Sequence, residues 1–225
     1  MTRRIAAVVA TALVASACSS ATGGTAAGSP QTAATLPGDS AAIARARADS
    51  AIRPYTAADI HFMSGMIGHH AQALVMSRLA PSRGASASVL RLAERIINGQ
   101  KDEIGTMQQW LRDRRQPVPE ARPGPMRMTM GGMEHDMMMP GMLTEAQMRQ
   151  LEQARGPEFD QLFLTFMIQH HRGAVSMVET LFGTYGAGQD HTVFKLASDV
   201  NVDQITEIAR MQNMLAELTL GVKLQ

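Results

Sequence analysis

Apolar residues recur every three or four positions along four long stretches of the chain, which is the period of an amphipathic α-helix. No strand-like alternation of useful length is apparent between them. The sequence therefore predicts an all-α fold, an antiparallel four-helix bundle of the ferritin-like type. The predicted helices cover residues from about 57 to 79, 86 to 114, 158 to 182 and 190 to 220.

Residues that start and stop helices support these boundaries. Thr56 followed by Asp59 forms a capping-box pattern at the start of the first helix. Thr144 with Gln147 repeats the pattern and predicts a short additional helix before Gly156. The folded domain is expected to span 56–220.

The two halves of this region resemble each other. An offset of 101 superimposes the first helix on the third, and an offset of 104 superimposes the second on the fourth. The matched pairs include His69 with His170, His70 with His171, Met66 with Met167, Met76 with Met177, Gln100 with Gln204 and Glu103 with Glu207. One helical hairpin is thus used twice. Because a hairpin cannot bury its apolar face alone, the two should pack together and bring the His-His motifs close.

Each His-His motif lies on a helical stripe with methionines. Met66, His69 and Met76 share one face of the first helix, and the third helix repeats the arrangement. Soft thioether sulfur favours Cu(I), and imidazole binds both Cu(I) and Cu(II), so the combination predicts copper. The candidate ligands are Met63, Met66, His69, His70, Met76, Met167, His170, His171 and Met177.

Core packing is the ordinary role of a single methionine or histidine on such a face. Two His-His pairs, each with methionines at the same spacing, are harder to explain by packing alone. The recurrence therefore favours a metal site.

A proline-rich segment, residues 117–142, joins the two halves and is predicted to be an irregular loop. It carries eight of the 18 methionines of the chain. Thioethers spaced along such a segment suit low-coordinate Cu(I), although the loop could instead fold over the bundle and bury them. This secondary set of candidate ligands is Met126, Met128, Met130, Met133, His135, Met137, Met138, Met139 and Met142.

The N-terminus predicts export. Residues 1–18 have a basic start, a short apolar run and a small-residue site that ends in Cys18, the only cysteine. The pattern resembles a bacterial lipoprotein signal, so we expect a periplasmic or extracytoplasmic protein anchored to the membrane by a lipid on Cys18. Simple signal cleavage is the alternative. Residues 19–55 read as a flexible tether.

Charge and composition exclude some functions. Lys and Arg total 21 against 20 Asp and Glu, and aromatic residues make up 4% of the chain. The chain therefore lacks the basic stripe and stacking residues of a nucleic-acid binder. Two alternatives to copper binding stay open. Glu103 and Glu207 could belong to a metal-dependent oxidase of the ferritin-like type, although a solvated face or an ion pair is their more ordinary role. The chain could also be a structural or partner-binding lipoprotein without metal.

The repeated motif resembles a known family. The residues from Met66 to Met76, followed by Gln100, Glu103, Ile104, Met107 and Trp110-Leu111, are similar to exported proteins of the domain-of-unknown-function family 305. The resemblance covers residues from about 56 to 218. It implies a ferritin-like helical bundle and an association with periplasmic copper, with a copper-handling protein as a further candidate partner. By position it supports the His-His pairs and their flanking methionines as ligands.

Overall fold

Long helices dominate the computed structural model, which describes residues 55–130 and 133–221. The four long helices are α1 (Ala57–Leu79), α2 (Ala87–Asp113), α4 (Gly156–Gly183) and α5 (His191–Leu220), and the short helix is α3 (Glu145–Gln153). A 3₁₀ turn, Ala80–Arg83, follows α1. The helix boundaries agree closely with those that the apolar period predicts. The predictions for residues 1–54, including Cys18, lie outside the described residues.

Local capping explains where the helices begin. Both predicted capping boxes are present, Thr56 with Asp59 at α1 and Thr144 with Gln147 at α3. Asp190 caps α5 by accepting from the backbone of Thr192 and Val193. These side chains satisfy backbone N–H groups that the first turn of a helix leaves unpaired.

The prediction of an irregular loop over 117–142 is wrong for its central part. β1 (Met126–Met130) pairs antiparallel with β2 (Met133–Met137) in a two-stranded hairpin. Methionine at every second position of β1 is the period of a strand, and the Gly131-Gly132 sequence is a strong hairpin signal. The protein is therefore mostly helical with one small hairpin.

The long helices pack in pairs. α1 packs against α2, α4 packs against α5, and α1 also contacts α4. Asp59 at the start of α1 accepts from the backbone N–H of Gly188, beyond the end of α4. Its repeat partner Asp160, near the start of α4, accepts from Ser86, beyond the end of α1. These reciprocal bonds mean that α1 and α4 run in opposite directions.

The apolar side chains form two clusters, here called the first and second core clusters. The first includes Phe62, Trp110 and Val200, and the second includes Phe159, Phe163 and Leu92. No helix in the described part of the chain has an apolar run sufficient to span a bilayer.

Candidate metal centre

The two His-His pairs lie together between α1 and α4. The ring centroids of His69 and His170 are 3.8 Å apart, with the ring planes tilted by 37°. His70 and His171 flank this central pair. Their ring centroids lie 6.3 Å from that of His69 and 6.2 Å from that of His170, respectively. All four imidazoles are fully buried. The repeat correctly predicts that the two motifs are close.

The central pair is held by backbone carbonyls. His69 Nε2 lies 3.0 Å from the carbonyl oxygen of Pro140, and His170 Nε2 lies 3.0 Å from that of His69. A carbonyl oxygen can only accept, so each Nε2 must carry the proton and donate it. In the neutral ring, Nδ1 then keeps an unprotonated lone pair.

The outer pair is held by carboxylates. His70 Nε2 donates to Glu103 Oε2 at 2.8 Å, and His171 Nε2 donates to Glu207 Oε2 at 2.7 Å. The Glu103 and Glu207 side chains are 17% and 12% exposed, so they lie between the buried rings and solvent.

The remaining ring nitrogen of every one of these histidines is unused. Within residues 55–130 and 133–221, none of the four buried Nδ1 atoms has a hydrogen-bond partner. A buried polar atom without a partner costs about 1–3 kcal/mol, so four in one place need an explanation. Histidines that bind metals through one nitrogen commonly donate the other N–H to a carboxylate or a backbone carbonyl. The four imidazoles therefore have the hydrogen bonding of metal ligands.

Burial also keeps the central rings neutral. Removal from water, together with the neighbouring His70, lowers the pKa of His69 to about 3. Burial, together with the neighbouring His69, lowers the pKa of His170 well below its ordinary value of 6.5. At neutral pH, protons do not compete for these lone pairs.

The candidate methionines of the helices are all buried, and they divide between the two core clusters. Met63, Met66 and Met177 belong to the first cluster, whereas Met76 and Met167 belong to the second. Because α1 and α4 are antiparallel, each cluster receives thioethers from both helices. Met66 and Met167 each precede the first histidine of their motif by three residues, which places them beside it on the helix face.

The connector between α2 and α3 divides into buried and exposed methionines. Met139 and Met142 are buried and Met126 is half-buried, whereas Met133, Met137 and Met138 are exposed. Met128, Met130 and His135 lie in the hairpin, where Met128 and His135 are paired in register. Of the predicted secondary set, Met126, Met139 and Met142 pack in or against the first core cluster.

Residues 140–143 cross over α1 and α4 and form hydrogen bonds with both helices. We call this segment the strap. Gln72 donates to the Leu143 carbonyl and accepts from the Leu143 N–H, at 3.0 and 2.6 Å. Gln169 donates to the carbonyl of Gly141. With the bond from His69 to Pro140, these contacts hold the strap directly over the central histidines.

The sequence interpretation missed the roles of the glutamates and glutamines on α2 and α5. Glu103 and Glu207 were expected on a solvated face or in an ion pair, and each is paired with an outer histidine, a partner that the sequence did not indicate. Gln100 and Gln204 are buried, and amide atoms of both lack partners among the described residues. The repeat contained a signal for their involvement, because Gln100 matches Gln204 and Glu103 matches Glu207 at the offset of 104.

Carboxylates and imidazoles do not by themselves complete a site. In the described part of the chain, no group of three or more His, Cys, Asp or Glu side chains could hold a metal ion. The other soft donors near the His-His pairs are the buried methionine thioethers of α1 and α4. His61 is half-buried and His191 is exposed, and neither belongs to the His-His group.

Comparisons with known proteins identify relatives of this chain. A family model described as domain of unknown function (DUF305) matches residues 59–215. No curated protein matches the chain. A DUF305 protein from Streptomyces coelicolor, described as secreted, is 33% identical with a TM-score of 0.61, and the match covers 75% of this chain and 96% of that one.

Two further solved structures are similar. A DUF305 fragment from Deinococcus radiodurans is 29% identical with a TM-score of 0.60, over 73% of this chain and 99% of that one. CopM in its Cu(II)-bound form is 28% identical with a TM-score of 0.53, over 71% and 96%. CopM has also been solved in Cu(I)-bound, silver-bound and apo forms. Since the family model matches more than half of its length, the chain belongs to the DUF305 family.

Proposed function

We propose that this protein binds copper ions as cargo, through the buried His-His pairs and the methionines beside them. The observation that carries the proposal is the set of four buried Nδ1 atoms without partners, on rings whose Nε2–H groups are held by oxygen acceptors. Orientation of the ring by its second nitrogen is the usual device for presenting a metal ligand.

The donor set favours copper over other metals. Neutral imidazole accepts both Cu(I) and Cu(II), and thioether sulfur favours Cu(I) over hard cations. Zinc sites are built from thiolate, imidazole and carboxylate, with thioether seldom involved. The similarity to CopM, which has been solved with Cu(I) and with Cu(II), supports the same choice.

The proposed architecture is a ferritin-like bundle of two related hairpins, with the copper centre near the axis that relates them. The reciprocal bonds of Asp59 and Asp160 and the facing His69 and His170 rings support that arrangement. Export, and a lipid on Cys18, would place the centre outside the cytoplasm. A buffer, a chaperone or a copper-tolerance protein would use such a centre, and a copper-handling protein would then be its partner.

A titration of the metal-free protein with Cu(I) against a competing chelator tests the proposal. We expect the H69L/H170L variant to bind copper about 100-fold more weakly or worse, since losing a supporting hydrogen-bond partner alone costs about 10–100-fold. Leucine removes the imidazole nitrogen and keeps an apolar side chain in the core. The matched control is H61L/H191L, which removes two histidines outside the centre. Equal affinities for the two variants would disprove the site.

A ferritin-like oxidase is the second candidate, and the two imidazole–carboxylate pairs of Glu103 and Glu207 are the observation that favours it. Di-iron sites of that class, however, use four glutamates and two histidines projecting into one core. The described residues contain no such group. Metal analysis of protein purified without added metal separates the two, because the oxidase requires two irons per chain.

A further inference from the structure

Gly65 occupies a buried position in the middle of α1, where glycine is unfavourable. A glycine in a helix interior costs about 0.5–1 kcal/mol relative to alanine. Gly65 lies one residue before Met66 and four before His69. A close approach by other atoms is the usual reason for a glycine at such a position.

The atoms that approach Gly65 are methionine side chains from elsewhere in the chain. A Cβ atom at Gly65 would lie 2.7 Å from Met139 Sδ, 3.3 Å from Met126 Sδ and 3.5 Å from Met177 Cε. Two thioether sulfurs from the connector and a third methionine from α4 thus converge on one point. The missing side chain of Gly65 makes the room that they occupy.

The second half of the repeat does not contain this gap. At the offset of 101, Phe166 on α4 stands where Gly65 stands on α1. Phe166 is buried and belongs to the second core cluster. The thioether group is consequently an addition to one half of the molecule and not a product of the duplication.

A cleft connects the group to the surface. This cleft, of about 800 Å³, lies between α1 and the connector, and both Gly65 and Met126 line it. Met126 is half-buried, while Met139 is only 4% exposed. The thioethers therefore extend from the wall of an accessible cleft into the protein.

One member of the group is adjacent in sequence to a residue that contacts a central histidine. Met139 precedes Pro140, whose carbonyl accepts the hydrogen bond of His69. Met177 lies two helical turns after His170 and shares the first core cluster with Met66. An ion held by these sulfurs would be close in the chain to the imidazole centre.

We propose that Met126, Met139 and Met177 form a separate thioether site for Cu(I), at the inner wall of the cleft, which receives the ion before the histidines. The inference rests on the proposed function, because it assumes copper as cargo. Three neutral thioethers favour a soft monovalent ion and bind Cu(II) weakly. The step from this site to the histidines is an exchange of ligands without oxidation or reduction.

The first experiment uses Ag(I), a soft monovalent probe that does not change oxidation state under these conditions. The protein is labelled with ¹³C in the methionine methyl groups, and Ag(I) is added to the metal-free chain. We expect the methyl signals of Met126, Met139 and Met177 to shift with the first equivalent, with assignments from single leucine variants. Shifts confined to other methionines would overturn the proposal, even if a variant failed to fold.

The second experiment alters the gap without removing a ligand. In G65A the new Cβ would displace Met139 Sδ and Met126 Sδ, and we expect Ag(I) affinity to fall about 10-fold or more. The matched control is G68A on the same helix, where a Cβ would meet only two carbonyl oxygens at 3.6 and 3.7 Å, an ordinary contact distance. Equal Ag(I) affinity in G65A and G68A would contradict the site.

Cu(II) binding separates this inference from the proposed function. We expect M126L/M139L to lose the Ag(I) equivalent that shifts these methyl signals and to keep Cu(II) binding at the histidines. If M126L/M139L binds both ions as the wild type does, the thioether site is wrong and the histidine centre stands. If the wild type binds neither copper nor silver, the proposed function itself fails.

Discussion

Each of the four buried histidines donates its Nε2–H to a different oxygen and leaves the same atom, Nδ1, without a partner. The acceptors are two backbone carbonyls for the central rings and two carboxylates for the outer rings. Partners of both kinds fix the tautomer and the orientation of the ring, and a carboxylate also places a negative charge beside it. The outer histidines should therefore depend on the charge of their glutamates.

Neutralising those glutamates is expected to weaken copper binding. In E103Q/E207Q the amide oxygen can still accept from His70 and His171, but the negative charge is gone. We expect the affinity for Cu(II) to fall about 10–100-fold, as is usual when such a partner is lost. Competition with a chelator of known affinity measures the change.

The control is E94Q/E179Q, which neutralises two exposed glutamates on α2 and α4. It removes the same net charge without touching a histidine. A similar loss of affinity in both double variants would mean that overall charge, and not the imidazole partner, is responsible.

Contacts between individual side chains of different helices could not be predicted from the sequence. The histidines could be singled out because their spacing to Met66 and Met167 recurs within a single helix, where the period fixes which side chains share a face. Glu103 lies on another helix. Which residues of α2 face His70 depends on the rotation of α2 about its axis, and a periodic pattern does not specify that rotation to one side chain.

Among the elements, the strap over residues 140–143 links the connector to the histidines. It lies between equivalent positions of the two halves, since Gln72 on α1 corresponds to Gly173 on α4 at the offset of 101. Gln72 binds Leu143, and a Cβ at Gly173 would lie 1.9 Å from the carbonyl oxygen of Pro140. Both helices bond to the strap, through Gln72 on α1 and Gln169 on α4, and Gly173 leaves the space that Pro140 occupies.

Adding a methyl group at Gly173 is expected to dislodge the strap. In G173A the new side chain and Pro140 cannot occupy the same place, so we expect a loss of about 1–3 kcal/mol in the free energy of unfolding. Urea denaturation measures it. The control G105A is at an exposed position of α2 with nothing within 4 Å of the new Cβ.

Alanine at Gly105 should stabilise the protein by about 0.5–1 kcal/mol, because it reduces the entropy that the helix loses on folding. The two glycine substitutions are thus expected to have opposite signs. Stabilisation in both would show that the strap does not pack against α4.

The elements themselves were mostly predictable. Helix period and capping boxes such as Thr56 with Asp59 depend on residues close in sequence, so the boundaries of the long helices follow from the chain alone. The β-hairpin was missed for a different reason. The alternating methionines of Met126–Met130 were interpreted as ligands on an irregular segment, and their period of two was not considered as strand geometry.

In the molecule as a whole, the packing of α1 against α4 explains why the polar centre is buried. Two hairpins that pack through α1 and α4 bring His69 against His170, so two copies of one motif share a single dry interior. Their neutral state follows from this burial, which lowers the pKa of both rings. Folding therefore depends on pH.

The stability of the metal-free protein should decrease as the pH falls below about 6.5. Unfolded histidines take up a proton near that pH, whereas His69 in the folded protein does so only at about 3. Between these values the unfolded chain binds more protons, and unfolding is favoured. Each such imidazole contributes a slope of about 1.4 kcal/mol per pH unit.

Urea denaturation of the metal-free protein at several pH values between 7.5 and 5 measures this slope. The H69L/H170L variant serves as the control, since it lacks both groups and should show a much smaller decrease. The same decrease in the variant and the wild type would indicate that other groups cause the pH dependence.

A crystal of the copper-loaded protein, measured at the copper absorption edge, locates the ion relative to the four unpartnered Nδ1 atoms. We expect an anomalous peak within bonding distance of Nδ1 of His69 or His170, with a methionine sulfur among the neighbouring ligands. Copper found only on surface groups such as His191, with both Nδ1 atoms still unligated, would contradict it.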